Sequence, residues 1–278
     1  MSEELKSFFQ AFEKPDFLTM KLLLGVFNKM KSTDAVGRKI VSNINVLSEY
    51  NLRLLASDDF SSYVSFDDDL SDIDMEISIY STEYTACHEL GHLLLNVFAR
   101  GEVPEEFKIV NDYCKKRLLN DREYVSNLLQ QYRDNVFDKL CKEVDVMDLD
   151  DDSVVEKLVL VSAFDQNIED CNRISNILDS IFIGNNPFCL DYGNDEIDPI
   201  LAMHPEEYFI DDGDNPEYIS FEEQFADYLV LRVYREQNSG VINKLYSLLG
   251  SQWFSMMDKH YDMIADRMAE KGKVYKYK

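Results

Sequence analysis

Residues 84–99 read YTACHELGHLLLNVFA. On a helix this stretch is apolar apart from one polar face. The apolar sides of such a helix pack against other parts of the chain. Ser81 or Thr82 is placed to cap it, and Gly101 to end it. Three ionisable residues, His88, Glu89 and His92, are carried into the interior with it. Burying such groups is unfavourable unless each finds a partner.

The spacing of those three residues suggests the partner. Residues four apart share a helical face, so His88 and His92 can direct two imidazole nitrogens at one ion. Glu89 follows His88 directly and can reach a water bound to that ion. Zinc accepts imidazole and carboxylate ligands, lowers the pKa of its water and leaves a neighbouring glutamate to take the proton. The chain has four histidines, and two of them are here.

A third protein ligand is required. A histidine six residues past His92 would make the metzincin pattern, but Phe98 stands there. The remaining histidines are His204 and His260. The stretch FEEQFADYL offers Glu223, with Asp227 four residues on and therefore on the same face. A ligand carboxylate with an acid one turn later, able to hold a ligand histidine by its other ring nitrogen, fits a zinc site. Glu222 is an adjacent rival. Ser220 with Glu223 also fits a capping box, which would make Glu223 a helix-start residue and nothing more.

Around this constellation the chain is mostly helical in pattern. FLTMKLLLGVFNKM and AVGRKIVSNINVLSEY have three- and four-residue apolar spacing. LRLLAS, SSYVSF and DMEISIY are short, rich in β-formers and separated by acidic turns, which predicts a small sheet of two to four strands with DMEISIY at its edge. Residues 104–185 read as mainly helical, including VVEKLVLVSAF and CNRISNILDSIFIGN, the latter stopped by Gly184-Asn-Asn-Pro187. Residues 187–219 read as loop, SFEEQFADYLVLRVYREQ as a helix, and two further helices follow.

Composition narrows the function classes. A formal charge of −25 argues against phosphate-mediated nucleic-acid binding and against an anionic membrane surface, so neither nucleic acid nor membrane is an expected partner. Cys87, Cys114, Cys141, Cys171 and Cys189 are odd in number and widely spaced, as in a reduced intracellular chain. The N-terminal residues lack a secretory pattern, and FLTMKLLLGVF is too short to span a bilayer. Cys87 points about 100° away from His88 round the helix and reads as core. DDGDN and FDDDLSDID do not fit EF-hand spacing and read as acidic turns.

HELGHLLL followed by EQFADYL resembles the gluzincin metallopeptidases. The first half is similar to ImmA/IrrE-type peptidases, and the second to the third-ligand helix of lethal-factor-like families. The resemblance implies His88, His92 and Glu223 as zinc ligands, Glu89 as general base and Asp227 behind the ligands. ISNILDSIFIGN, HPEEYF and EEQFADYL together also look like the metallopeptidase-like domain of tailed-phage minor head proteins. Met203 stands where that pattern has glycine, and the segment between His92 and Glu223 is far longer than in ImmA/IrrE-type enzymes. This second likeness makes His204 and Tyr208 candidates to donate a hydrogen bond to an oxyanion, with Tyr218 as a rival.

The expected fold is helix-rich α+β, a small sheet beside the HExxH helix in a zincin-like core with a long helical insertion. The expected organisation is a single domain over 1–278, with N-terminal helices in 1–50, sheet and HExxH helix in 51–100, a mainly helical insertion in 101–215, and the third-ligand helix and C-terminal helices in 216–278. The expected function is a zinc (Zn2+) endopeptidase acting on a protein or peptide substrate. The alternative is a phage virion or head-associated assembly protein that keeps a zinc-binding peptidase fold and assembles with phage head proteins. The expected location is cytoplasmic, or virion if phage-encoded.

Overall fold

The computed structural model describes residues 3–10, 15–59, 61–67, 70–99, 102–143, 166–188, 204, 206–210 and 215–275. The chain forms two compact units. One comprises Met1–Glu102, Tyr228–Gln237 and Met257–Lys278, and the other Val103–Asp227 and Asn238–Met256.

The first unit opens with α1 (Glu3–Gln10), α2 (Phe17–Thr33) and α3 (Ala35–Ser42), then a 3-10 turn at Ile44–Glu49. Asp16 starts α2, its Oδ1 accepting from the amides of Leu18 and Thr19 at 2.7 and 3.0 Å. Asp34 divides α2 from α3 and accepts from the Gly37 amide at 2.7 Å. Gly37 is required there, because a Cβ would fall 2.3 Å from the Met30 carbonyl oxygen of α2.

Three strands follow, β1 (Asn51–Ser57), β2 (Tyr63–Phe66) and β3 (Asp72–Ser78). Their order is β1-β3-β2. β1 runs parallel to β3 from Asn51↔Asp72 to Ser57↔Ser78, and β2 runs antiparallel from Tyr63↔Glu76 to Phe66↔Ile73. Alternation sets the two faces. Leu52, Leu54, Ile73, Met75 and Ile77 are buried. Arg53 pairs with Asp74, and the Tyr63 hydroxyl donates to Glu76 at 2.7 Å. All three predicted strand segments form. DMEISIY, expected at the edge, is instead the central strand. It alternates over seven residues and can pair on both sides, whereas β2 has only four residues and takes an edge. β1 is the other edge, met by the start of α2: the Asp16 amide donates to the Leu54 carbonyl at 3.0 Å and Thr19 Oγ1 to the Leu55 carbonyl at 2.6 Å.

α4 (Glu83–Ala99) is the HExxH helix. It packs against α2, β2 and β3. The predicted small sheet beside this helix is therefore present, in a helix-rich α+β arrangement. Of the two proposed caps Thr82 serves, its Oγ1 accepting from the amides of Tyr84 and Thr85. Gly101 lies outside the described residues.

The second unit holds α5 (Phe107–Asn120), α6 (Arg122–Glu143), α7 (Gln166–Phe182), the short α8 (Glu206–Ile210), the first part of α9 (Pro216–Val233), α10 (Ser239–Leu249) and the start of α11 (Ser251–Tyr275). The division between the units falls inside α9 and inside α11. α7 packs on α5, α6 and α10. It ends as predicted, with Gly184 at φ 73° and its amide donating to the Asp179 carbonyl at 2.9 Å. VVEKLVLVSAF lies outside the described residues. No helix among the described residues is long and apolar enough to cross a membrane.

Candidate metal centre

α4 is buried along most of its length. Ala86, Cys87, Leu90, Leu93, Leu94, Leu95, Val97 and Phe98 are all in the core, which confirms Cys87 as a packing residue. That burial fixes the rotation of the helix and hence the face that carries the histidines. His92 and Glu89 are buried and His88 is half-buried. The Nε2 atoms of His88 and His92 face each other at 3.0 Å. The rings are 4.7 Å apart and inclined at 73°. One turn beyond, Asn96 Nδ2 donates to the His92 carbonyl at 3.0 Å.

One turn before His88, the ring of Tyr84 lies 4.5 Å from that of Tyr234. The Tyr234 hydroxyl donates to Glu83 at 3.1 Å. Burial, helped by the nearby Cys87 and Glu83, pushes that hydroxyl well above the usual tyrosine range, so it stays protonated as a donor. The start of α4 is thereby held at its exposed end as well as along its core face.

Glu223 lies on α9 and is 1 % exposed. The capping-box reading of Ser220 and Glu223 does not hold. α9 begins at Pro216, four residues earlier than Ser220, with Asn215 Oδ1 accepting from the Glu217 amide at 3.0 Å. Proline suits the first helical position and asparagine the position before it. Ser220 is thus inside the helix, and its hydroxyl donates to the Ser180 carbonyl at 2.6 Å. Glu222, the rival ligand, is half-buried about 100° round the helix from Glu223.

His88, His92 and Glu223 each offer one ligand atom, and these atoms lie within 4.8 Å of one another. The group could hold a metal ion. Its donor chemistry fits zinc: two imidazole nitrogens and one carboxylate oxygen, with a coordination position left over. Two nitrogens bound tetrahedrally at about 2.0–2.1 Å would be about 3.3 Å apart, close to the histidine separation found here.

The other sequence candidates fall near Glu223 to different degrees. The Tyr208 hydroxyl donates to Glu223 Oε1 at 2.5 Å. The His204 ring lies on the Tyr208 ring, 4.3 Å between centroids at 34°. The His204 amide donates to Asp179 Oδ2 at 3.3 Å. Tyr218 is in the first turn of α9, five residues before Glu223 and about 140° round the helix from it. Asp227 is fully buried and accepts from Arg173 Nη1 at 2.6 Å.

Arg173, Asp179 and Asn111 escaped the sequence reading. Arg173 had a signal. It sits four residues before Ile177 in a stripe with Ile174, Leu178 and Ile181, so the arginine occupies a core-facing position and requires a buried acid. Asp179 and Asn111 had none, because their partners are the Asn186 side chain, the His204 amide and the Ile181 carbonyl, which local spacing does not reveal. No protein-family model matches the chain, and searches of curated proteins and of solved structures find no match either.

Proposed function

We propose that this chain is a zinc-dependent endopeptidase with a zincin-like core, in which His88, His92 and Glu223 hold the metal and Glu89 is the general base. The observation that carries the reading is the gathering of the three donor atoms within 4.8 Å, with a buried glutamate next to the first of them on the same helix. Bound zinc would supply a Lewis acid and lower the pKa of a water. Glu89 would take the proton of the attacking water and deliver it to the leaving amine. Tyr208, whose hydroxyl is already at the ligand carboxylate, is the best-placed of the candidate tyrosines to donate to the substrate carbonyl oxygen, with His204 stacked against its ring.

The edge strand β2, which contacts α4, is a site where an extended peptide could add by main-chain hydrogen bonds. β3 has both neighbours in place and could not serve. The net charge of −25 favours basic substrate segments.

The test is metal removal. Peptide hydrolysis by the full chain is expected to disappear on treatment with a zinc chelator and to return on adding zinc. Hydrolysis that survives complete metal removal would refute the proposal. A chain that binds zinc tightly and hydrolyses no peptide would favour the virion assembly role over the enzyme.

A further inference from the structure

We propose that α7 is a splint for the ligand carboxylate: Arg173 and the Ser180 carbonyl hold α9 on either side of Glu223 and so set the position of its carboxylate. This rests on the reading of Glu223 as a metal ligand. The two helices run antiparallel, since the lower-numbered partner on α7 meets the higher-numbered partner on α9. Arg173 Nη1 donates to Asp227 Oδ1 at 2.6 Å, and the Ser220 hydroxyl donates to the Ser180 carbonyl at 2.6 Å. Glu223 lies between these two ties. Ser220, Glu223 and Asp227 fall within about 60° of one another round the helix, on one stripe. All three are buried, and so is Arg173.

A third tie leaves the same helix. Asp179 accepts from Asn186 Nδ2 at 2.8 Å and from the His204 amide at 3.3 Å. Those bonds hold His204, two residues before α8, where Tyr208 donates to Glu223 Oε1. One helix therefore holds both the backbone beneath the ligand and the hydroxyl on its carboxylate. Metal affinity depends on ligand atoms held within a few tenths of an ångström, and a buried charge-assisted bond is short and directional enough to provide that. Arginine suits the role because its planar donors fix the geometry, whereas a lysine would supply only a point charge.

The test uses the full chain and reads metal affinity, by competition with a chromogenic zinc chelator, together with the visible spectrum of the cobalt-substituted protein. Arg173→Met is expected to weaken zinc binding about 10–100-fold and to alter the cobalt spectrum. Arg173→Lys is expected to recover part of the loss, and Ser220→Ala to give a smaller loss than Arg173→Met. If Arg173→Met does not fold, the lysine and Ser220 variants read the same quantity. Folded variants with wild-type affinity and an unchanged cobalt spectrum would overturn the splint while leaving the metal site standing. A wild-type chain with no zinc affinity would overturn the metal reading, and the splint with it.

Discussion

Replacing Glu89 with glutamine is expected to lower peptide hydrolysis about 10²–10⁴-fold, the usual contribution of a general base. Zinc content should not change. The amide has the shape of the carboxylate, so the buried position in α4 is refilled without a cavity. It cannot accept a proton near neutral pH, and Glu89 is not one of the three residues whose donor atoms gather. The measurement is the initial hydrolysis rate at saturating peptide, beside metal analysis of the same preparation. A rate equal to wild type would remove Glu89 from the mechanism even with the metal site intact.

The largest expected effect on stability comes from Trp253→Ala. Trp253 is the single tryptophan and is fully buried. Its ring meets Phe254 edge to face at 4.9 Å, and its Nε1 donates to Gln224 Oε1 at 2.8 Å. Gln224 is itself buried and donates to Ser220 Oγ at 3.2 Å and to Asn111 Oδ1 at 3.3 Å. Removing the indole leaves a cavity worth about 3–5 kcal/mol. It also deprives a buried amide oxygen of its donor, at about 1–3 kcal/mol. Against a total stability of about 5–15 kcal/mol, this should lower the urea midpoint sharply or prevent folding. Circular dichroism is the appropriate probe, since the variant has no tryptophan to follow. Trp253→Phe should lose less, because most of the buried area is retained. An alanine variant with the wild-type midpoint would contradict this packing.

Much of the arrangement around α4 was legible because it is local. The apolar spacing of residues 84–99 demanded a helix with one polar face, and the i, i+4 pair demanded that both histidines share that face. The β-rich segments between residues 51 and 80 announced a small sheet of two to four strands. Their order was not legible, because pairing depends on which strand has neighbours on both sides. DMEISIY alternates as an edge strand with one solvated face does, and equally as a central strand of a sheet with one polar face. The start of α9 was misread because Ser220 and Glu223 mimic a capping box, while the effective signal, Asn215 followed by Pro216, ended a stretch that looked like loop. Arg173 and Asp227 are 54 positions apart and meet only through tertiary packing. That ion pair could be inferred from a misplaced charge on an apolar stripe, but its partner could not.

The most direct test of the metal site is the zinc content of purified full-length chain, measured for wild type, Glu223→Ala and Glu222→Ala together. One zinc per wild-type chain, retained in Glu222→Ala and lost in Glu223→Ala, is the expected result, since Glu223 joins His88 and His92 while Glu222 lies about 100° round α9 from Glu223. A wild-type chain that takes up no zinc, or a Glu223→Ala variant that keeps a full complement, would contradict it.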